Sequence, residues 1–295
     1  RPARQAAASI AGAGTVDYCR FMGQQYDLLV IDLDGTLLDR RGRVSRRNCE
    51  ALDAVRAAGM EVVIATGRTV VESAAALEAA KHEGLVIAAG GSLLCEAASR
   101  KTVHRHVLAH DLVNELTNSL IENGHKALIL KDSHVTGYDY LAVGPGRLDP
   151  ASEWWFSQLP VHVKFVESLE EDSHPQDTVR AGAVASGVHL EPLAHRLRSS
   201  MGERCCLQHW SAVTETEAIG STTHLLEVFS AGVNKWTMVQ RICQDRGIDR
   251  SRVAAIRHGI NGLELLREAG LGVALGNASA PGRACGASTR RASCA

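Results

Sequence analysis

The informative part of the chain opens with YDLLVID, residues 26–32, a nearly continuous apolar run that is β-branched at its centre and ends in charge. Such a run suits a strand buried on both faces of a parallel sheet. Ser45 is then placed as a helix N-cap, Ala51, Leu52 and Val55 recur at helical spacing, and Gly59 is placed to end the last turn. MEVVIAT at 60–66 repeats the buried-strand pattern, alanine-rich residues 70–81 predict a second helix, and LVIAA at 85–89 reads as a third strand. The order βαβαβ predicts a doubly wound, Rossmann-like parallel-sheet α/β core.

The same alternation returns near the C-terminus, with a helix over 235–246, a strand at 252–256, a helix at 263–270 and a strand at 271–275. The core is therefore expected in two pieces, residues 23–106 and 230–295, with an α+β insertion at 107–229 between them. Within the insertion, a helix at 112–122 and strands at 127–130, 161–166 and 225–229 are expected. YLAVGPGRLDPAS at 140–152 reads as a turn-rich loop, and ESLEEDSHPQD at 167–177 as an acidic, solvated one. Residues 1–22 read as an uninformative extension, with Met22 a natural start and a transit peptide the lesser alternative. The last sixteen residues, 280–295, lack apolar periodicity and read as an irregular tail.

Composition narrows the partners. Lysine plus arginine number 32 against 33 aspartate plus glutamate, a balance that gives no electrostatic reason to bind nucleic acid or an anionic membrane. A small soluble substrate fits better. No apolar run approaches the roughly 18 residues that span a bilayer. Eight cysteines without a CxxC pair suggest reduced thiols, which makes the cytoplasm the expected compartment.

In open α/β sheets, ligands gather beyond the carboxyl ends of the strands. Four such ends are polar here: Asp32 and Asp34 with Gly35 and Thr36; Thr66 with Gly67 and Arg68; Lys235 opening a helix; and Arg257 with His258. A carboxylate can attack phosphorus to form an acyl phosphate, and Asp32 is the candidate nucleophile. Asp34 stands where a second carboxyl group could protonate the leaving alcohol and later activate water. Thr66 and Lys235 would grip the phosphoryl oxygens, and backbone N–H groups at the glycine turns add donors. A calcium loop is the main rival reading of DLDG. It fails because Leu37 stands where that loop needs glycine and Arg43 where it needs glutamate. Two histidine-bearing clusters, His104–His106–His110 and Cys205–Cys206–His209, lack paired zinc-ligand spacing and read as ordinary residues.

The phrases VIDLDGTLLD, VIATGR, VNKW and LELLREAGLGVALGNA together resemble the haloacid dehalogenase superfamily, and the insertion looks like the type IIB cap of Cof-like phosphatases. The resemblance implies Asp32 as nucleophile, Asp34 as acid/base and Thr66 and Lys235 as phosphate grips. Gly35, Thr36, Gly67, Arg68 and Asn261 would bind phosphate. It also implies magnesium and a small phosphorylated metabolite, often a sugar phosphate, selected by a cap that closes over the site.

The fourth motif departs from the family. Where the family has Gly-Asp-Gly-x-Asn-Asp, this chain has Arg257-His258-Gly259-Ile260-Asn261-Gly262, so both aspartates are replaced. The expectation is a phosphatase working through a phospho-Asp32 intermediate with impaired magnesium activity. Asp32, Asp34 and His258 are the remaining metal candidates. Manganese or another divalent metal beside His258, or a positive charge from His258 itself, are the rescues; a catalytically inactive relative that binds a phosphorylated ligand through Thr66, Lys235 and Arg257 is the alternative.

Overall fold

The structure, a computed structural model, describes residues 26–39, 41–211, 223–258, 263–275 and 288–289. They fall into two compact units, one formed by the chain up to Val103 together with the chain from Asn234 onward, the other by His104–Val233. The expected extension and residues 259–262, Asn261 among them, lie outside the described residues. Of the expected tail only Ser288 and Thr289 are described.

The chain first forms β1 (Leu28–Asp32), α1 (Arg46–Ala57), β2 (Glu61–Ala65), α2 (Val70–Ala79), β3 (Leu85–Ala88), β4 (Leu93–Glu96) and β5 (Thr102–Arg105). The second unit follows with α3 (His110–Glu122), β6 (Ala127–Lys131), β7 (Tyr140–Val143), α4 (Pro150–Gln158), β8 (Val163–Val166), β9 (Thr178–Ser186), α5 (Gly187–Met201), β10 (Cys205–Ser211) and β11 (Thr223–Ser230). The first unit is then completed by α6 (Lys235–Arg246), β12 (Val253–Arg257), α7 (Leu263–Glu268), β13 (Leu271–Ala274) and β14 (Ser288–Thr289).

Local chemistry sets these boundaries. The Ser45 hydroxyl accepts a bond from the Asn48 backbone N–H to start α1, and Thr69 and Glu72 form a reciprocal capping box at α2. At the start of α6 the Asn234 side chain accepts from the backbone N–H groups of Trp236 and Thr237. In the first unit the strand order is β14-β13-β12-β1-β2-β3-β4-β5. Strands β13, β12, β1, β2 and β3 run parallel to their neighbours in that series, while β4 returns antiparallel to β3. All five residues of β1 and of β12 are buried, which explains their unbroken apolar character up to the final charged residue. Chain order steps outward from β1 to β2 and β3 on one side and takes up β12 on the other, so the sheet's topological switch lies between β1 and β12.

The second unit is a six-stranded sheet of order β10-β11-β9-β6-β7-β8. Leu112, Leu116 and Leu120 of α3 and Leu190, Leu193 and Leu197 of α5 share a buried cluster with Ile129, Ala181, Leu226 and Val228 of the strands. Two loop expectations are corrected here. Residues 140–143 form β7, and Asp149 caps α4 by accepting from the Ala151 N–H, so only the middle of 140–152 is a loop. The acidic stretch is not simply solvated: the Asp172 side chain is 1% exposed and takes an ion pair at 2.5 Å from Lys131, whose side chain is wholly buried. Lys131 also donates to Thr178 Oγ1 at 2.7 Å and to the His174 carbonyl at 2.9 Å. Burial depresses the Lys131 pKa and Asp172 opposes that shift, so the ammonium depends on its partner.

Asp172→Ala is expected to leave the buried Lys131 charge uncompensated and to destabilise this unit by about 3–5 kcal/mol. Chemical denaturation would show this; a change within ~0.5 kcal/mol of the parent would contradict it.

Candidate active site

Parallel pairing assembles the site. Asp32 ends β1, and on one side it is in register with Ala65, which puts Thr66 one residue beyond. On the other side Ile31 is in register with Ile256, so Asp32 and Arg257 follow side by side at the sheet's switch point. Past Asp32 the chain turns sharply through Leu33–Leu37, with Gly35 at a φ of +65°. A Cβ at Gly35 would run into the His258 imidazole, so this position needs glycine both for its backbone and for its neighbour.

Lys235 reaches this point from the start of α6. Its ammonium binds Asp32 Oδ1 and donates to the Ala65 carbonyl at 3.3 Å. A strained segment, Ala89–Gly91, lies between these elements. The Ala89 N–H donates to the Arg68 carbonyl at 2.8 Å and the Gly90 N–H to the Thr66 carbonyl at 3.1 Å. Ala89 holds a φ of +47° and Gly91 one of +110°. A Cβ on Gly91 would strike the Asn234 carbonyl, so glycine there lets the residue before Lys235 approach.

Asp32 is 4% exposed and ringed by donors. Oδ2 accepts a long bond from Thr36 Oγ1 at 3.4 Å and faces Arg257 Nε at 3.8 Å and His258 Nδ1 at 3.9 Å. Burial alone would raise its pKa. Lys235, His258 and Arg257 together outweigh that and hold the carboxyl well below the usual carboxylate range. Arg257 is the other buried charge here. Its side chain is 3% exposed, and among the described residues its Nε and Nη1 have no hydrogen-bond partner. An unsatisfied buried donor costs about 1–3 kcal/mol, and more when charged. Burial pushes its pKa down while Asp32 and Glu264 push it back up.

Of the other expected residues, Thr66 is fully buried and its hydroxyl oxygen accepts from the Arg68 N–H at 3.1 Å. Arg68 clasps Asp34 with both arms, Nε to Oδ2 at 3.1 Å and Nη2 to Oδ1 at 2.5 Å. Gly67 stands between Thr66 and Arg68 at the same strand end. Sequence reasoning missed the Ala89–Gly91 segment, whose only signal is the pair of glycines after an apolar strand. It also missed the burial of Arg257.

Of the expected metal trio, the structure brings His258 to 3.9 Å from Asp32, while the Asp34 side chain is engaged by Arg68. Both Asp34 oxygens are taken by Arg68, and Asp32 faces Lys235, Arg257, His258 and Thr36, all groups that supply donors or cationic charge. Among the described residues no group of three His, Cys, Asp or Glu side chains could hold a metal ion. That set does not suit magnesium, which demands near-octahedral hard oxygen ligands. The other histidine clusters are likewise packed pairs: His104 and His106 meet edge to face at 5.1 Å, and His209 and His224 share a 3.0 Å hydrogen bond. A cavity of about 650 Å³ in the second unit, bordered by Lys126, Arg147 and Arg196, contains none of the residues around Asp32.

The first unit is thus a mainly parallel α/β sheet with a buried carboxylate at its switch point, and the second unit is inserted in its chain. The match to the haloacid dehalogenase-like hydrolase family runs over residues 29–283, and the chain belongs to that family. Its members generally use magnesium. The chain is 24% identical over 257 residues to a 5-amino-6-(5-phospho-D-ribitylamino)uracil phosphatase of Bacillus subtilis, covering 85% of this chain and 84% of that one. Among solved structures, a haloacid dehalogenase-like hydrolase from Bacteroides thetaiotaomicron superposes with a TM-score of 0.73 at 22% identity, covering 90% of this chain and 94% of the other. A subclass IIB sugar phosphatase superposes with a TM-score of 0.69 at 18% identity over 90% and 93% of the two chains.

A group whose folded pKa is depressed contributes stability that is complete above its ordinary value, 3.8 for Asp32, and lost as pH falls through the folded value. Lys235→Met removes the strongest of the opposing charges and moves the Asp32 titration upward. Thermal melts at successive pH values should show the variant losing stability at a higher pH than the parent. Coincident pH profiles would contradict the assignment.

Proposed function

We propose that this protein hydrolyses phosphate monoesters of small metabolites, with Asp32 as the nucleophile. The observation that carries this reading is the buried Asp32 carboxylate, bound by Lys235 at the switch point of the sheet. A carboxylate kept ionised is ready to attack, and its Oδ2, the oxygen that Lys235 does not bind, is the natural attacking atom. Attack forms the Oδ2–P bond as the bond from phosphorus to the ester oxygen breaks, and the leaving alcohol takes up a proton. Water then attacks the phosphorus of phospho-Asp32, loses a proton, and releases inorganic phosphate with the carboxylate restored.

Lys235 and Thr66 are the groups placed to steady the phosphoryl oxygens, with the N–H groups of the Gly35 and Gly67 turns beside them and Asn261 as a further binding residue. Asp34 is the acid/base. The compounds named for the relatives, a phosphoribitylamino-uracil and a sugar phosphate, support a substrate of the same kind: a compact organic phosphate, chosen by the inserted unit in the role of a cap. The cytoplasm is the compartment this chemistry fits.

One observation favours a second reading, a phosphate-ester binding protein without turnover. Asp34 is clasped by Arg68 through both oxygens, so the residue expected to serve as acid/base already has a cation partner. A panel of sugar phosphates and ribitylaminouracil phosphate, assayed by phosphate release, separates the two. Hydrolysis is expected, falling by roughly 10⁴-fold or more in Asp32→Asn and by about 10²–10³-fold in Thr66→Val. Phosphate release unchanged in Asp32→Asn would reject Asp32 as nucleophile. Thermal stabilisation by the esters without any release would establish the binding reading.

A further inference from the structure

Resting on the reading of the Asp32 site as one that receives a phosphoryl group, the geometry points to Arg257 as that site's built-in cation: its guanidinium, in place of a divalent metal, meets the phosphoryl oxygens, and phosphate binding is magnesium-independent.

The first support is position. Register places Arg257 beside Asp32 on the neighbouring strand, at the switch point where open α/β sheets hold their ligands. The second is the state of its donors. Arg257 Nε lies 3.8 Å from Asp32 Oδ2, beyond the reach of a hydrogen bond, and Lys235 already binds the other carboxylate oxygen. Asp32 therefore neutralises Arg257 without satisfying it. Nε and Nη1 remain buried without a hydrogen-bond partner among the described residues. Buried donors of this kind call for an acceptor, and a phosphoryl group offers oxygens spaced for the guanidinium fork.

Charge supplies the third support. Among the described residues Lys235 and Arg257 share Asp32 as their one ion-pair partner, so the point between them is rich in cations and favours an anion. Glu264 acts on Arg257 through its charge but forms no ion pair with it among the described residues. A divalent cation at Asp32 would lie against two existing cations, with Asp34 already committed to Arg68. The replacement of the family's first motif-four glycine by Arg257 thus reads as a substitution of one source of positive charge for another. Loss of the site would not require a guanidinium buried to 3% exposure at the same point.

The test uses the full chain, stripped with EDTA and desalted, with inorganic phosphate titrated in a calorimeter in the presence and absence of magnesium chloride. Wild-type protein is expected to bind phosphate with a Kd unchanged within about twofold by magnesium, and magnesium alone to give no binding heat. Arg257→Ala should weaken phosphate binding by about 10- to 100-fold, the range of a lost charge-assisted hydrogen bond, and Arg257→Lys should fall between. Phosphate binding that tightens tenfold or more with magnesium would overturn the inference while leaving the phosphoryl site intact. Wild-type protein that binds phosphate in neither condition would remove both the inference and the reading beneath it. Should either variant fail to fold, the wild-type comparison decides alone.

Discussion

The organisation of the first unit turns on one buried carboxylate. Removing Asp32 from water opposes its ionisation, and the effective penalty for burying such an ion is several kcal/mol. Lys235, Arg257 and His258 reverse that opposition and leave the group more acidic than it would be in water. None of the three lies near Asp32 in sequence. They converge because β1, β12 and the start of α6 are brought together by parallel pairing and by the close approach that Gly91 allows. The apolar burial of β1 and β12 along their whole length supplies the rigid frame in which this convergence is held.

That arrangement also shifts the balance of charge from the family's usual one. Magnesium chemistry needs clustered oxygen ligands, and this chain has instead gathered nitrogen cations around its nucleophile candidate. Arg257 stands in the same fourth-motif stretch from which the carboxylates are missing, so positive charge is attached to the chain where a family member holds its acidic groups. A fixed guanidinium has directional donors and cannot exchange with solvent, which favours planar, oxygen-rich ligands. The clasp of Arg68 on Asp34 fits the same pattern of carboxylates committed to arginine.

Much of the first unit was legible in the sequence, because buried parallel strands carry continuous apolar runs and the helices between them carry explicit caps. Ser45 and Gly59 mark α1, and the helix expected over 235–246 is α6 itself. The second unit was less legible. β9 is a long run of small residues with an arginine in it, and α5 contains Pro192, a residue that argues against a helix interior. Tyr140–Val143 was hidden by the glycines and proline that follow it. In the site, strand ends located Asp32, Thr66, Lys235 and Arg257, since polar residues after apolar runs are conspicuous. Sequence could not show that Arg68 binds Asp34, that Arg257 is sealed from solvent, or that Ala89 and Gly91 bend the chain around Asn234. Those depend on side-chain direction and on contacts between distant segments.

The most direct test of this account is the ionisation of Asp32 itself, followed by carboxyl ¹³C NMR on aspartate-labelled protein and assigned with Asp32→Asn. The account predicts a resonance that stays ionised as the pH falls past the ordinary 3.8. An Asp32 that takes up its proton at or above that value would contradict it, for the cations around it would then not be holding the charge on which the site depends.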